Sequence, residues 1–378
     1  MRIQIVPQEA DHAAAVRSFN ARLDAAGTEA FRLGEIEPER GAYCDGVSFR
    51  NFLAIDDRGE VRGGYFMRMQ PMQVRGSVHA VGQYRAPLSE GIVDKRYMAV
   101  GPMMLAHAMK IQPLLYSSGM GGPQLPLPRM MKSLGWHVME APFWFRVLHG
   151  GRFLRNIGPL RKDLPRRVIG DLLAFTGVGG AGIAIAQALR TSALRGERPD
   201  VETLRSFDER TTEIWRQCAG DYSFSAMRTP DFLRFNYPTL TEPYTTLGLS
   251  RDGSFAGWVN LLDCKPQNAA FFGNMKVAAL IDGVAPRKFI PELVRAAVVA
   301  AKENGSDMIF SNQTHQDWTD ALRNAGFWRG PSNYLLALSK ALVKLLEPME
   351  EAIPRINFNR GDGDGRVNLL PADAPSTS

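Results

Sequence analysis

The feature that most constrains the fold is an internal repeat. FLAIDDRGEVRGGYFMRM (Phe52 to Met69) is two alternating apolar runs around an Asp-Arg-Gly turn, the pattern of a β-hairpin. LGLSRDGSFAGWVNLL (Leu247 to Leu262) repeats it around Arg-Asp-Gly. Each hairpin leads into more strand-like sequence and then a segment of helical period, MMLAHAMKI in one half and FIPELVRAAVVAAKENG in the other. A short apolar strand follows, LLYSSGM or MIFSNQT, then a helix ending in a glycine-aromatic pair, Gly135-Trp136 or Gly326-Phe327. The interval from hairpin glycine to terminal glycine is 76 residues from Gly59 to Gly135 and 73 from Gly253 to Gly326. Matching order at matching interval predicts a duplicated unit of mixed strands and helices.

Length and composition fit two such units. The chain has 378 residues, 45% of them hydrophobic and 22% charged, enough apolar material for two cores. Its net charge of +6 and pI near 9.3 suit an anionic partner: a phosphorylated cofactor, an acidic carrier protein or a membrane surface. Nucleic acid is not expected, since no basic run is interleaved with aromatics and no zinc-finger or helix-turn-helix signature occurs. The cysteines Cys44, Cys218 and Cys264 form no CxxC pair or disulfide framework, as expected in a reducing cytoplasm. HExxH, GxSxG and Walker signatures are absent, so no metal is expected.

Between the halves, residues 152–198 carry a basic approach, a low-charge stretch from Val168 to Leu189, and basic residues again. Two readings stand: a buried helix joining the domains, or an amphipathic element that brings a cytoplasmic protein to a membrane surface. The expected organisation is an N-terminal domain over 1–150, a helical linker over 151–200, a C-terminal domain over 201–340, and a helix end with a disordered tail over 341–378. Within that tail NFNRGDGDGRVN fails as a calcium loop. With Asp364-Gly365 at the loop's fifth and sixth positions, Arg360 and Pro371 stand where carboxylates are needed.

The chemistry centres on RYMAVG (Arg96 to Gly101), which follows a strand-rich segment and opens the helix MMLAHAMK. Amides at a helix start are unpaired and sit in positive potential, so they can receive a pyrophosphate where small side chains leave the backbone bare, here Ala99 and Gly101. Arg96 adds a charged donor. This loop, in the order hairpin, strand, loop, helix, strand, helix, resembles the GNAT acyltransferases, and both halves resemble that α/β, mixed-sheet fold in tandem. The resemblance extends to bacterial tandem-GNAT proteins through FDERTTEIW and RTPDFLRFNYP. It implies that Arg96, Tyr97, Met98, Ala99, Val100 and Gly101 hold the pyrophosphate of acetyl-CoA or another acyl-CoA; Ala99 departs from the family's usual glycine. It also implies a bulged, splayed fourth strand that presents an amide to the thioester carbonyl and opens a slot for the pantetheine arm. In the second half, Val284 placed under Val93 puts Arg287, Ile290 and Glu292 under Arg96, Ala99 and Gly101, so that copy is expected to have lost the loop.

An N-acyltransferase must deprotonate an amine and protonate a thiolate. Glu90, six residues before Arg96, is the candidate base, with a solvated turn carboxylate as its alternative. Tyr84 and Tyr116 are the candidate hydroxyls; Tyr116 also reads as a core residue. Ser117, Ser118 and His315 are candidates for the acceptor site. The expected acceptor is a small amine such as an amino sugar, amino acid or metabolite. Two alternatives keep the fold: a FemAB-like transferase using an aminoacyl or acyl-carrier-protein donor, and a non-catalytic interaction protein at a membrane surface.

Overall fold

The computed structural model of the chain describes residues 2–28, 32–34, 46–158, 178–190, 199–266 and 271–363. The chain divides into two units, Met1–Met139 with Leu335–Glu347, and Glu140–Tyr334 with Pro348–Ser378. Cys44 and the segments 159–177 and 191–198 of the expected linker lie outside the described residues.

The first unit is one mixed sheet. Its strands are β1 (Ile3–Pro7), β2 (Ser48–Asp56), β3 (Val61–Val74), β4 (Ser77–Ser89), β5 (Leu115–Ser118) and β6 (His137–Glu140). The second unit contributes β7 (Phe143–Val147), β8 (Val201–Thr203), β9 (Phe224–Ala226), β10 (Tyr244–Arg251), β11 (Ser254–Cys264), β12 (Val277–Val284), β13 (Met308–Asn312) and β14 (Trp328–Gly330). Then β15 (Leu335–Leu338) returns to the first unit, and β16 (Ile356–Asn357) pairs with β9 in the second. The two sheets run β1-β2-β3-β4-β5-β15-β6 and β8-β10-β11-β12-β13-β7-β14. Strand for strand the order is the same. In each, four antiparallel strands are followed by one parallel pairing, β4 with β5 or β12 with β13, and then an antiparallel strand drawn from the other half of the sequence.

That exchange corrects the expected boundaries. Residues 143–147 were placed with the N-terminal domain, yet they lie in the second sheet, and 335–338 lie in the first. The expected linker begins as core, because Phe153, Leu154 and Ile157 are buried in the second unit's hydrophobic cluster. The expected tail is structured as far as Gly363, with Ile356, Phe358 and Asp362 buried. Among the described residues no helix is long and apolar enough to cross a membrane.

Each sheet is covered on both faces. In the first unit α1 (Ala13–Ala25) lays Val16, Phe19 and Leu23 against Leu53, Val61 and Leu88. On the other face α2 (Val100–Ile111) and α3 (Pro126–Ser133) bury Met104, Leu105, Ala108 and Met131 against Phe52, Tyr65, Met67 and Tyr84. The glycine-aromatic pairs of the repeat are helix ends. Gly135 and Gly326 take φ of 80° and 78°, and the amides of Trp136 and Phe327 reach back to the carbonyls of Met131 (3.0 Å) and Leu322 (3.1 Å). This is the left-handed C-terminal cap that favours glycine, with the following aromatic side chain buried beneath it.

Candidate active site

The site of the first unit begins where β4 loses its partners. β3 and β4 pair Phe66 with Arg85 and Gly64 with Leu88, so Ala86 and Pro87 together face Tyr65. This β-bulge puts Ala86 at φ 40°, and proline at 87 leaves no amide there to satisfy. Next to the bulge the parallel ladder to β5 stops: it joins Gly82 to Leu115 and Gln83 to Tyr116 and goes no further. Beyond it, Ser117 Oγ donates to the Tyr84 carbonyl at 2.8 Å. The bulged and splayed fourth strand is therefore present in the chain itself.

Down the same strand lies the RYMAVG segment. Lys95–Tyr97 form a 3-10 turn, and α2 starts at Val100 with Pro102 in its first turn, where the missing amide costs nothing. Asp94 caps the turn, accepting from the Arg96 amide at 3.0 Å, and pairs with the Arg96 guanidinium at 2.6 Å. The Arg96 side chain is 80% exposed. A Cβ added at Gly101 would meet nothing within 4 Å, so the first helical turn is bare and open at that position. Ala99 N-caps the helix, Val100 is buried, and Met98 points outward. These residues fit a pyrophosphate group: free space over early helix amides with an arginine beside it.

Tyr97 is buried and anchors the loop. The Arg62 guanidinium lies 4.4 Å from its ring centroid. Arg62 is in turn held by Asp56 at 2.8 Å, by Glu90 at 3.0 Å and by Glu60. Glu90 also receives Arg22, through Nε at 2.9 Å and Nη2 at 3.0 Å. Gly91 continues this bed, since a Cβ there would stand 2.7 Å from the Tyr97 carbonyl oxygen and 2.9 Å from Met98 Cα. Glu90 is thus no solvated turn residue, and its setting suits a base poorly. Burial alone would raise its pKa, but hydrogen bonds from Arg22 and Arg62 outweigh that and hold it below the ordinary glutamate value.

The remaining candidates separate. Register pairs share a sheet face, so Tyr116 lies with Gln83 and Ser118, while Tyr84 and Ser117 lie on the opposite face. Tyr116 accepts from Gln70 Nε2 at 2.7 Å, and Ser118 accepts from Gln83 Nε2 at 3.1 Å. The Tyr84 hydroxyl is buried with no hydrogen-bond partner. Burial, with the neighbouring Tyr65 ring 4.9 Å away, pushes the Tyr84 pKa far up, so the phenol stays protonated. His315 belongs to the second unit, buried edge-on against Tyr222 at 5.1 Å, with burial lowering its pKa. One titratable pair escaped sequence reasoning: the Tyr65 hydroxyl and His107 Nδ1 meet at 2.8 Å, joining the strand opposite the bulge to α2. Burial, then Lys110, lowers the His107 pKa.

The helix start of the second unit differs from its expected alignment. Arg287–Phe289 form the 3-10 turn and the helix Ile290–Glu303 follows at once. Superposing helix starts puts Pro291, not Glu292, under Gly101. Glu292 sits in the first turn and is bound by Arg251 at 2.8 Å.

No protein-family model matches the sequence, and no curated protein matches it. Solved structures do. An N-myristoyltransferase from Saccharomyces cerevisiae, solved with myristoyl-CoA and inhibitors, is 12% identical over 89% of this chain and 79% of its own, with a TM-score of 0.51. A GCN5-related N-acetyltransferase from Anabaena variabilis is 11% identical over 89% and 72%, also at 0.51. A probable N-acyltransferase from Enterococcus faecalis is 9% identical over 92% and 74%, again at 0.51. Together with the strand order repeated in both sheets, these likenesses show that the chain has the GNAT fold of the N-acyltransferases, built twice in tandem.

Proposed function

We propose that the chain is an acyl-CoA-dependent N-acyltransferase whose first unit holds the donor. The observation that carries this reading is a juxtaposition along one strand: β4 is bulged and parted from β5, and it leads into a helix start left bare at Gly101. The amides around Ala99 to Gly101 would take the pyrophosphate, with Arg96 turning from Asp94 to a phosphate oxygen. The pantetheine arm would lie in the split, its thioester near the bulge.

The acceptor nitrogen then attacks the carbonyl carbon, the C–N bond forms, the C–S bond breaks, and the amine proton ends on the departing thiolate. The buried Tyr84 phenol stays protonated, so its O–H is assigned a hydrogen bond to the departing sulfur while the amine proton neutralises the thiolate, and Glu90 is not assigned the base's part. Acetyl is the donor we propose, and a small-molecule amine the acceptor.

Calorimetry with CoA and acetyl-CoA tests the reading. Wild type should bind both, and Gly101→Glu, which has room to fold, should bind about tenfold or more weakly. If wild type binds neither, the reading falls. Tyr84→Phe should keep donor affinity and lose about 10²-fold in thiol release with an accepted amine.

A further inference from the structure

The second sheet parts at the same place as the first, but the split is filled. β12 and β13 pair through Val277–Met308, Ala278–Ile309 and Ala279–Phe310 and then separate. Ser311 Oγ donates to the Leu280 carbonyl at 2.9 Å, as Ser117 does to Tyr84. Residues 356–362 then bond to both parted strands. On the β13 side, the Gln313 amide turns outward to Pro142, toward β7, whereas the Thr314 amide turns the other way to the Phe358 carbonyl at 3.2 Å. The Phe358 amide returns to Thr314 Oγ1 at 2.9 Å, Asn359 bridges to Gln313, and Arg360 Nε donates to Asn312 Oδ1 at 2.8 Å. On the β12 side, Asn359 Nδ2 donates to Asp282 Oδ1 at 3.1 Å.

The segment ends on a buried charge. Asp362 pairs with Arg228 at 2.7 Å, and Arg228 also holds Asp282 at 3.0 Å, every side chain being 1% exposed. Tyr237 completes the site by donating to Asp282 at 3.0 Å. Nothing comparable enters the first split from its own added strand, because β15 pairs along the outer edge of β5, through Leu336–Ser118 and Leu338–Tyr116.

We infer that the split of the second unit is a binding site for a peptide that runs extended over 356–359 and then turns to present a carboxylate, and that residues 356–362 are its resident occupant. Main-chain bonds to Thr314 hold the strand, and Arg228 selects the aspartate, a division of labour familiar from strand-addition peptide sites. It follows that the chain takes one acyl-CoA, in the first unit, and none in the second. That consequence alone rests on the proposed function.

The test severs the segment without removing it. A site-specific protease sequence inserted after Glu347, at the boundary between the units, cuts the full-length chain so that residues from Pro348 onward are held only non-covalently. The cut fragment should co-elute with the protein in size exclusion and exchange with a synthetic peptide of residues 348–363. The same peptide with Asp362→Ala should compete about 100-fold less well, because it leaves Arg228 buried without that partner. Release of the fragment with the intrinsic tryptophan fluorescence unchanged, or equal competition by the altered peptide, overturns the inference.

Hydrogen exchange on the uncut chain gives an independent reading. The Phe358 and Asp362 amides should be protected as strongly as that of Leu280, and rapid exchange there also overturns it. Calorimetry should find one acetyl-CoA site, and two sites would refute the consequence. If no donor binds at all, the proposed function falls, while the peptide and exchange results still decide this inference.

Discussion

Glu90→Gln tests whether the first unit's loop rests on a buried ion network. Glu90 accepts from Arg22 at 2.9 and 3.0 Å and from Arg62 at 3.0 Å, and its side chain is 7% exposed. Glutamine keeps the shape but removes the charge and aims an amide group at two guanidinium groups. Breaking a buried pair on one side costs about 3–5 kcal/mol. Here Arg62 keeps Asp56 at 2.8 Å, and Arg22 keeps the Val61 carbonyl and is partly solvated, so about 2–3 kcal/mol is expected. Urea unfolding of wild type and variant measures it directly. The pH dependence adds a second check. Glu90 has a folded pKa held below its ordinary 4.5, so its contribution is complete above that pH and is lost as pH falls through the depressed value. The difference between wild type and Glu90→Gln should therefore shrink as the pH is lowered below 4.5. A difference under about 0.5 kcal/mol at neutral pH, or one that does not change on acidification, refutes the network's role. Donor affinity should fall with stability, since Arg62 also covers Tyr97.

Asp362 should give the opposite pH behaviour. Burial raises its pKa to about 6 against the pull of Arg228, so the folded chain holds that proton more tightly than the unfolded chain does. Its contribution is present at low pH and is lost as pH rises from 3.8 through about 6; Asp362→Asn should flatten that slope in urea midpoints. Gly91→Ala should cost about 1–3 kcal/mol and loosen donor binding, because its Cβ would press on the backbone of Tyr97 and Met98. Ser117→Ala should cost about 1 kcal/mol in urea unfolding, through the single bond it makes across the split.

The local features were legible because they are written in adjacent residues. Both hairpins, both glycine-aromatic helix ends and the helix opened by RYMAVG are set by turn residues, period and cap chemistry. What escaped depends on partners far along the chain. Residues 143–147 fall within the expected N-terminal domain because nothing in FWFRV says that its neighbour is β13. Glu90 reads as a candidate base or a solvated turn carboxylate because Arg22 stands 68 positions away. NFNRGD reads as a tail since its polar groups look solvated until Asp282, Arg228 and Asn312 are folded around them. Polar sequence signals disorder only when no buried partner exists, and a sequence does not list partners.

The two copies of the fold show how a split sheet can be resolved in two ways. Parting a parallel pair leaves strand amides and carbonyls in need of partners, and a buried edge without them is costly. The second unit meets that need permanently, with Phe358 and Asn359 bonded across to Thr314 and Gln313 and a charge trio closing the end. Its helix start matches this state: Pro291 stands where the first copy has Gly101, and Glu292 is already neutralised by Arg251, so no anion is needed there. The first unit keeps Gly101 bare and leaves the β4 side of its split to something other than β15. The donor proposed for the first unit, an acyl thioester on a pantetheine pyrophosphate arm, would bring a hydrogen-bonding chain along the strand and an anion to the helix start. The occupant that the second copy carries in its own sequence is thus the reason to seek a diffusible one for the first.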